Sequence, residues 1–558
     1  MLVADYLVNV LENYKVTDAF GIPGGVILDF LYALSRHPTI TPHLTFHEQT
    51  AGFAALGYGQ VTGRLGLAYA TRGPGILNLI TPIVDAYCDS IPALFITAHA
   101  TPYSTSPLRV QTDQELDIIS AVSGFTKYAN RIENVNDLPH IIDTACRAAT
   151  TGRPGPVLLD FYSALWKKDV SFKLPTIPYE SQSELSSMLQ ELEASLSAAK
   201  RPVLLIGDGA RSMVAQEQLK NLSKIMPIPI LSSRFASDLV ANNSLYYGYI
   251  GSHGCRFANF ILSKADLIIA IGNRINISPM SDSFKSIFQS KKIIRFDIDC
   301  AELQRQLPSV KSFQGNAKEV LSLLLKNPLK FKGLSSWISI CNQIKQELWY
   351  KDTEFPVNTI AFLLEHIPQD AILTSDVGNN EFWLARAYIQ AKIGNRILYS
   401  KSLGALGSSI GKAIGSYYAT KKPVYCFTGD QGMQFNIQDL QFIAMNNLPI
   451  TIVILSNDSS GMILDREVRK GYSPLHVDKS SGYGHPSFRK IADAYQIHYM
   501  RITKNLSNVK FPSPLQPNII EISIDPHIEL IPYLPKGYPY QKLYPEISME
   551  LYNILNTL

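Results

Sequence analysis

A carboxylate and an amide stand at the ends of two predicted strands in the C-terminal third of the chain. Residues 429–432 read Gly-Asp-Gln-Gly and follow the apolar run 424–427, and Asn457 follows the apolar run 450–455. Because ligands collect at the carboxyl ends of parallel strands, we expect Asp430 and Asn457 to meet. A carboxylate, an amide and a loop carbonyl such as that of Ser459 are oxygen ligands that suit Mg²⁺ when a diphosphate completes the set. The pattern predicts a clamp for a metal ion and a diphosphate.

An ordinary strand-end turn would by itself account for Gly429 and Asp430, but the later Asn457 favours a functional site. The opening at Asp430 and the close at Asn457 resemble the motif of thiamine diphosphate (ThDP) enzymes, and most closely that of the acetolactate synthase branch. The family's usual Gly-Asp-Gly reads Gly-Asp-Gln here, and its Asn-Asn reads Ser-Asn, yet both expected metal ligands are present. The resemblance implies that the cofactor diphosphate is bound by Gly429, Gln431, Gly432, Gly461 and Met462.

Size and the alternation of elements predict the fold that must position these residues. A chain of 558 residues is too long for one core and fits three domains. Helical patterns alternate with short apolar runs such as 65–69 and 93–97, which indicates parallel sheets covered on both faces. We therefore expect an α/β fold with three domains, each a doubly wound, mostly parallel sheet, at residues 1–172, 190–328 and 355–545, with links at 172–190 and 328–355.

Composition excludes several classes of protein. A charged fraction of 18% and a hydrophobic fraction of 46% indicate a globular chain, and no apolar run reaches the roughly eighteen residues of a membrane span. The net charge of +4 is small and Lys and Arg form no blocks, so nucleic acid is not an expected partner. The six cysteines lack C-x-x-C spacing and the N-terminus is unlike a signal peptide, so we expect a reduced, cytoplasmic protein.

Glu48 opens a predicted helix in the first domain, within His-Glu-Gln-Thr-Ala-Gly at 47–52. The structural alternative is a carboxylate stabilised by the helix dipole. This segment and Thr-Arg-Gly-Pro-Gly at 71–75 resemble the family's pyrimidine-binding domain, which implies that Glu48 bonds the ring nitrogen of the cofactor's aminopyrimidine. The turn that holds Pro23 and Gly24 permits close approach of the backbone to a ligand.

A loop of the first domain is expected to approach the active site. Gln-Glu-Leu-Asp at 114–117, followed by Lys127, resembles the family's Gln-Glu-x-Asp and Lys. The resemblance implies catalytic roles for Gln114 and Lys127. Asp113 stands where the family usually has Phe, so this end of the pocket should be more polar than in the family.

The second domain resembles the central domain of acetolactate synthase, which holds FAD although its reaction has no net redox change. A glycine-rich strand end such as 207–211 can accept phosphate, and the resemblance implies that FAD contacts Gly207, Arg211, His253, Gly254, Arg274 and Asp297. Relatives without flavin keep much of the same scaffold. A spacer domain that retains these turns is therefore the alternative.

Two further segments of the third domain are expected at the cofactor. Asn379 and Asn380 stand where the family commonly has Gly-Gln-His against the diphosphate, and their amides can still donate to phosphate oxygens. In the loop 402–407, which includes Gly404, the resemblance implies that Leu406 wedges between the two cofactor rings and holds ThDP bent. A simple core leucine is the alternative.

Decarboxylation of a 2-oxo acid needs an electron sink that no side chain provides, so a cofactor must supply it. By the resemblance, Glu48 makes the cofactor's 4′-amino group basic, and the bent shape brings that group against the carbon it deprotonates. Aldehyde-releasing relatives usually place two adjacent histidines over the thiazolium, and this chain has no His-His pair. We therefore infer carboligation of a two-carbon unit, with pyruvate as the expected donor.

Arg466 bears on the identity of the acceptor. It stands where acetolactate synthases generally have a Trp that shapes the pocket for a short apolar 2-oxo acid. Because arginine suits phosphate or carboxylate, a nucleotide-linked keto-deoxysugar is the alternative acceptor. Two structural alternatives stay open: a solvent-facing Arg466 paired with Asp465 or Glu467, and an inactive scaffold, against which the intact Glu48, Asp430 and Asn457 argue.

The expected partners are small molecules and a second copy of the chain. A 2-oxo acid donor and a carbonyl acceptor are the substrates, with ThDP, Mg²⁺ and FAD as expected cofactors. In the family, the counterparts of Glu48 and Asp430 close on one ThDP from opposite chains. The resemblance thus implies a homodimer or homotetramer with shared active sites.

Overall fold

The computed structural model describes residues 1–102, 109, 112–175, 186–275, 291–305, 309–349, 354–503, 506 and 509–558. Parts of both predicted links, residues 176–185 and 350–353, lie outside the described residues. The chain forms two compact units. One comprises Met1–Glu180, Asp370–Glu381 and Ile397–Pro526, and the other comprises Ser181–Gln369, Phe382–Arg396 and His527–Leu558.

Three six-stranded sheets make up the two units, and every strand pair in them is parallel. The first unit holds the N-terminal strands β1 (Asp18–Gly21), β2 (Thr41–Leu44), β3 (Gly66–Tyr69), β4 (Ala93–His99), β5 (Tyr128–Ile132) and β6 (Pro156–Tyr162). It also holds the C-terminal strands β13 (Ile372–Ser375), β14 (Ile397–Tyr399), β15 (Val424–Gly429), β16 (Ile450–Ser456), β17 (His498–Ile502) and β18 (Asn518–Ser523). The second unit holds β7 (Pro202–Ile206), β8 (Ile230–Ser232), β9 (Tyr246–Tyr249), β10 (Leu267–Ile271), β11 (Lys292–Asp297) and β12 (Val310–Gln314).

The N-terminal and C-terminal sheets have the same strand order. It is β2-β1-β3-β4-β6-β5 in the first and β14-β13-β15-β16-β18-β17 in the second. In each sheet, the second strand lies on one side of the first strand and the third strand lies on the other side. A topological switch point therefore lies between the first and third strands. In the C-terminal sheet this point lies between β13 and β15, next to the predicted clamp.

Helices cover these sheets. The α-helices of six residues or more are Val3–Asn13, Leu28–Arg36, Glu48–Thr62, Ile80–Asp89, Leu138–Thr150, Ser186–Ala198, Ala215–Ile225, Arg256–Lys264, Ala317–Lys326, Ser335–Leu348, Val357–Leu364, Asn379–Ala391, Ser408–Thr420, Leu440–Met445, Gly461–Arg469, Phe488–Ala494 and Met549–Thr557. Shorter helices are Pro74–Asn78, Ile118–Val122, Ser237–Val240, Cys300–Gln304 and Gly432–Phe435. Within the described ranges, no helix has the length and apolar character needed to cross a membrane.

The predicted α/β fold with three parallel sheets is confirmed. All residues of β4 and β16 are buried, as continuous apolar runs covered on both faces require. Sequence patterns did not identify the edge strand β2. It contains Pro42 and its residues are exposed or half-buried, so it lacks an apolar run. A proline is tolerated there because one side of an edge strand has no hydrogen-bonding partner.

Two small-residue helices hold the N-terminal and C-terminal sheets of the first unit together. Glu48–Thr62 packs against Ser408–Thr420 so closely that a Cβ added at Gly57, Gly411 or Gly415 would overlap the facing helix. Gly411, for example, leaves only 2.6 Å between the position of its missing Cβ and the Cβ of Phe53. The carboxyl ends of both sheets are therefore positioned by direct backbone packing.

A buried ion pair crosses this junction. The Lys412 ammonium lies 2.9 Å from the Asp85 carboxylate, and both side chains are fully buried. Lys412 also donates to the Tyr399 carbonyl at 2.9 Å, and Asp85 accepts from the Ser400 hydroxyl at 2.6 Å. Removal of either charge would leave the other in an apolar interior without compensation.

We expect Lys412→Met to destabilise the first unit by about 3–5 kcal/mol, because the Asp85 charge is left buried and unpaired. The matched control is Lys422→Met, whose partner Asp370 lies 3.9 Å away in a largely exposed pair and contributes about 0–1 kcal/mol. Chemical denaturation followed by circular dichroism measures both variants. Equal midpoints for the two variants would contradict a structural role for the buried pair.

Candidate active site

The predicted clamp residues lie at the carboxyl ends of three adjacent strands. Asp430 directly follows β15, Asn457 follows β16, and the segment 376–380 follows β13. The Asp430 carboxylate accepts a hydrogen bond from the Asn457 backbone N–H at 3.1 Å. The register of the parallel strands thus brings the two residues together although they are far apart in sequence.

Asp430 is 1% exposed, and its carboxylate accepts four hydrogen bonds. Oδ2 accepts from the backbone N–H groups of Asn457 and Asp458, and Oδ1 accepts from the N–H of Gln431 and from the Tyr483 hydroxyl at 2.6 Å. Burial raises the pKa of Asp430, although these donors and nearby His485 act in the opposite direction. The carboxylate is a desolvated oxygen ligand in a fixed orientation, which a cation would stabilise in its charged form.

Three polar side chains converge on Gly461, the first residue of the helix Gly461–Arg469. A Cβ at this position would lie 2.6 Å from Asn457 Nδ2, 3.0 Å from Asn379 Nδ2 and 3.6 Å from Ser459 Oγ. Across the described part of the chain, Ser459 Oγ and Asn379 Oδ1 are buried without a hydrogen-bond partner. Buried polar atoms of this kind can bond a ligand or an ordered water. The Ser459 hydroxyl and the side-chain N–H groups can donate to phosphate oxygens at a helix N-terminus, whereas Asn379 Oδ1 is an acceptor that suits a cation or a donor.

Asn380 extends this polar surface toward the strand ends. Its Nδ2 donates to the Asp376 carbonyl at 2.7 Å, and its Oδ1 lies 3.7 Å from the position of the Cβ that Gly429 lacks. Among the described residues no group of three or more His, Cys, Asp or Glu side chains could by itself hold a metal ion. A cation at Asp430 would therefore need amide, carbonyl and phosphate oxygens, which is the ligand chemistry of Mg²⁺ bound with a diphosphate.

Asp376 is a site residue that sequence analysis missed. It is fully buried and accepts from the Gly407 N–H with both oxygens at 2.9 Å, and from Thr428 Oγ1 at 3.1 Å. Burial raises its pKa to about 6 even though these hydrogen bonds lower it. The sequence offered one signal for Asp376: it is an acid directly after a buried strand, as Asp430 is.

Asp376 fixes the loop that carries Leu406. Gly404 and Gly407 have φ values of +66° and +82°, a left-handed conformation that favours glycine. Leu406, between them, is half-buried and belongs to none of the three apolar clusters of the described residues. The Leu406 side chain is therefore partly exposed, and its role between the cofactor rings stays a prediction.

Glu48 is the first residue of the helix Glu48–Thr62, where His47 caps the helix by accepting from the Gln49 N–H. Its Oε2 accepts from Asn78 Nδ2 at 2.9 Å. Its Oε1 lies 3.3 Å from the position of the Cβ that Gly75 lacks. The carboxylate is half-buried and keeps one oxygen beside a glycine, where a ligand can approach closely.

The turn with Pro23 and Gly24 lies beside the same segment. Gly24 packs against Thr71, and Thr71 also adjoins Gly75. Pro23 is exposed. The structure therefore brings Gly24 and Glu48 to one edge of the N-terminal sheet, after β1 and β2.

Gln114 is exposed and has a φ of +61°, and its backbone lies against Gly73. Its neighbour Glu115 anchors the loop, because the carboxylate accepts from Ala100 N at 2.8 Å, from Thr101 and from Arg72. These donors outweigh partial burial and lower the pKa of Glu115 to about 2. Glu115 has a structural role that leaves Gln114 to project outward.

Lys127 lies at the other edge of the N-terminal sheet. It precedes β5, and its ammonium donates to the carbonyls of Thr151 at 2.9 Å and Arg153 at 2.7 Å. These contacts hold the turn before β6. The structure does not bring Lys127 together with Glu48 in this chain, since Glu48 follows the carboxyl end of β2.

The helix Gly461–Arg469 carries the residues that bear on the acceptor. Asp465 accepts from Asn379 Nδ2 at 3.2 Å and lies 3.9 Å from Arg469. Glu467 accepts from the Leu475 N–H. Arg466 is exposed, and the structure records no ion pair between it and either acid among the described residues. Met462 is half-buried on the same helix.

The second unit contains the residues predicted to bind FAD. Two of them, Gly207 and Arg211, are hydrogen-bonded within the unit. In the turn 207–211, the amides of Gly207, Gly209, Ala210 and Arg211 donate to backbone carbonyls of the same unit. The Arg211 guanidinium donates to Asp208, to both oxygens of buried Asp238 and to the Phe235 carbonyl. Gly207 and Gly272 allow the two loops that carry them to pack directly against each other.

The remaining flavin candidates also have partners. Arg274 lies 2.5 Å from Glu302, Asp297 accepts from the Asp299 N–H at 3.0 Å, and the Gly254 N–H donates to Gly251. The His253 ring lies 4.7 Å from that of Phe382. Several of these groups are thus bonded within the second unit. Binding of FAD stays a prediction.

Comparisons with known proteins agree with the fold of three parallel sheets. Residues 1–121, 189–324 and 376–511 match the models for the thiamine pyrophosphate enzyme N-terminal TPP binding domain, central domain and C-terminal TPP binding domain. The acetolactate synthase large subunit of Lactococcus lactis is 30% identical, over 94% of this chain and 93% of the relative. Acetolactate synthase 1, chloroplastic, of Oryza sativa is 30% identical (97% and 87%), and acetolactate synthase isozyme 2 large subunit of Escherichia coli is 29% identical (98% and 100%).

All three domain models match in order, and the identity to these synthases extends along nearly the whole chain. The protein therefore belongs to the thiamine pyrophosphate enzyme family and is an acetolactate synthase-like, ThDP-dependent enzyme.

Proposed function

We propose that this protein uses ThDP and Mg²⁺ to decarboxylate a 2-oxo acid, with pyruvate as donor, and joins the two-carbon unit to a carbonyl acceptor. The observation that carries the proposal is the convergence of Asn457, Asn379 and Ser459 around Gly461, beside the buried Asp430, with Asn379 Oδ1 and Ser459 Oγ lacking hydrogen-bond partners among the described residues. The similarity to acetolactate synthases supports the same reaction class.

In this proposal, the metal ion is held by Asp430, Asn457 and the Ser459 carbonyl. The diphosphate lies against Asn379, Asn380 and the glycines of 429–432 and 461. A carboxylate that is already buried and oriented loses little entropy when it binds a cation, which supports the assignment. Bound ThDP would supply the electron sink that decarboxylation requires.

Glu48 holds a proton at the far side of the pyrimidine ring in this proposal. Asn78 orients one carboxylate oxygen, and the oxygen beside Gly75 bonds the ring nitrogen. Leu406, on the loop fixed by Asp376, would contact the cofactor rings and exclude water beside them. Gln114 remains a proposed contact near the substrate. The catalytic role predicted for Lys127 is left out of this proposal, because Lys127 precedes β5 and its ammonium bonds the Thr151 and Arg153 carbonyls, away from Glu48.

The absence of a His-His pair in the sequence supports carboligation over aldehyde release. We assign the pyrimidine to residues 1–172, the central domain to 190–328 and the diphosphate to 355–545. A homodimer or homotetramer with shared active sites is part of the proposal, and it rests on the family resemblance alone. No step of the proposed reaction involves FAD.

We expect Gly461→Ala to weaken ThDP binding about ten- to a hundredfold, the scale of losing hydrogen bonds to a charged group. The added Cβ would displace the Asn457 and Asn379 amides, whereas alanine suits the helix itself. Calorimetric titration of ThDP in Mg²⁺ measures the change. Gly124→Ala, where a Cβ meets nothing within 4 Å, is the control; equal affinities in the two variants would argue against the cradle.

Glu48→Gln should lower turnover at least about a hundredfold, because acid-base activation is lost, while ThDP affinity changes little. Turnover of pyruvate and ThDP affinity are measured on the same preparation. Glu12→Gln, a partly exposed glutamate of the same domain, should retain wild-type turnover. Near-normal activity of Glu48→Gln would refute the role of Glu48.

A keto-sugar acceptor is the second candidate, favoured by an exposed Arg466 that pairs with neither neighbouring acid in the described structure. If Arg466 contacts a phosphorylated acceptor, Arg466→Trp should weaken its use about ten- to a hundredfold. Decarboxylation of the donor should change much less, since a contact made only to the acceptor cannot assist the earlier step.

The measurement compares CO₂ release with product formation for pyruvate alone and for added keto-sugar acceptors. Lys470→Trp, at an exposed position after the same helix, is the control. If Arg466→Trp lowers both steps equally, or neither, Arg466 does not contact the acceptor, and a second pyruvate is the simplest acceptor.

A further inference from the structure

The segment 477–485, here called the strap, crosses the proposed metal site. The Ser460 N–H donates to the Val477 carbonyl at 2.8 Å, and Ser459 pairs with Asp478 as neighbouring antiparallel backbone segments. Ser459 and Ser460 stand two and three positions after the proposed ligand Asn457. The strap therefore runs alongside the loop that carries two of the proposed ligands.

Side chains of the strap contact two carboxylates. Asp458 Oδ2 accepts from Lys479 Nζ at 2.9 Å, and Asp458 Oδ1 lies 2.7 Å from His485 Nε2. Asp430 Oδ1 accepts from the Tyr483 hydroxyl at 2.6 Å, whereas His485 lies 3.9 Å from Asp430, beyond hydrogen-bonding distance. Asp458 thus anchors the strap, and Asp430 contacts it through one hydroxyl.

The hydrogen bonds to Asp430 fill its acceptor capacity. An ionised carboxylate has about four acceptor positions, and three are taken by the N–H groups of Gln431, Asn457 and Asp458. The fourth donor is Tyr483, the one side-chain hydroxyl that bonds this carboxylate in the described structure. A cation bound by Asp430 needs a lone pair, so one of these four donors must yield.

Tyr483 is the donor that can yield most easily. The three amides belong to the turns after β15 and β16, and their release would require the strand ends to rearrange. Tyr483 can turn away while Lys479, His485 and Val477 keep the strap attached. Release of the hydroxyl therefore needs a change in only one side chain.

We propose that the Tyr483 hydroxyl and a divalent cation compete for the Asp430 carboxylate. Tyr483 is then a positioning residue that holds the carboxylate oriented, limits cation affinity and couples cation binding to a turn of its own side chain on the strap. The inference rests on the proposed function, because it takes Asp430 as a cation ligand. In the opposite arrangement Tyr483 would support a cation-bound Asp430, and its loss would weaken binding.

The test is calorimetric titration of Mg²⁺ into the full-length protein in saturating ThDP. We expect Tyr483→Phe to bind Mg²⁺ about tenfold more tightly or better, since the competing hydrogen bond to a charged group is gone. General structural damage would lower the affinity. Tyr472→Phe, which alters an exposed tyrosine before the strap, should bind Mg²⁺ as the wild type does.

A second measurement uses the wild-type protein. Addition of Mg²⁺ in ThDP should change the near-ultraviolet absorbance of tyrosine as the Tyr483 hydroxyl leaves the carboxylate, and the change should be absent from Tyr483→Phe. Unchanged or weaker Mg²⁺ binding by Tyr483→Phe would overturn the inference. Asp430→Ala separates the two proposals: if cation-dependent ThDP binding persists in that variant, the proposed function itself fails.

Discussion

The buried carboxylate of Asp430 is the group on which the candidate site depends. A charge that is 1% exposed is costly to bury, and the fold offsets that cost with three backbone amides and one hydroxyl. Two of those amides come from the end of the adjacent strand β16. The register of β15 against β16 therefore determines the geometry of the site. A shift in this register would move the backbone amides of Asn457 and Asp458 away from the Asp430 carboxylate.

Carboxylates hold the other loops of the first unit in the same way. Asp376 after β13 binds the Gly407 amide and so fixes the loop with Leu406, and Glu115 ties the loop with Gln114 to the end of β4. Their pKa values move in opposite directions, to about 6 for Asp376 and about 2 for Glu115. Asp376 is fully buried, so desolvation dominates, whereas Glu115 is only partly buried and its donors dominate.

Sequence analysis could predict what depends on strand pattern. Continuous apolar runs identified the buried strands β4 and β16, and the rule for parallel strand ends predicted that Asp430 lies next to Asn457. It could not predict contacts set by long-range packing. The Tyr483 hydroxyl reaches Asp430 across 53 positions, and the Arg211 guanidinium pairs with Asp238, which Arg396 also binds. The FAD prediction rested on sequence motifs, which do not show that the Arg211 guanidinium is hydrogen-bonded to Asp208 and Asp238 within the second unit.

The measurement that tests the central claim most directly is the release of CO₂ from carboxyl-labelled pyruvate by the purified protein. The assay is run with carbonyl acceptors present, with ThDP and Mg²⁺ together and with each omitted in turn. The account predicts release that requires both, with a carboligation product in place of free acetaldehyde. If ThDP is bound and pyruvate, Mg²⁺ and acceptors are all supplied but no CO₂ appears, the assignment of this site to 2-oxo acid decarboxylation is wrong.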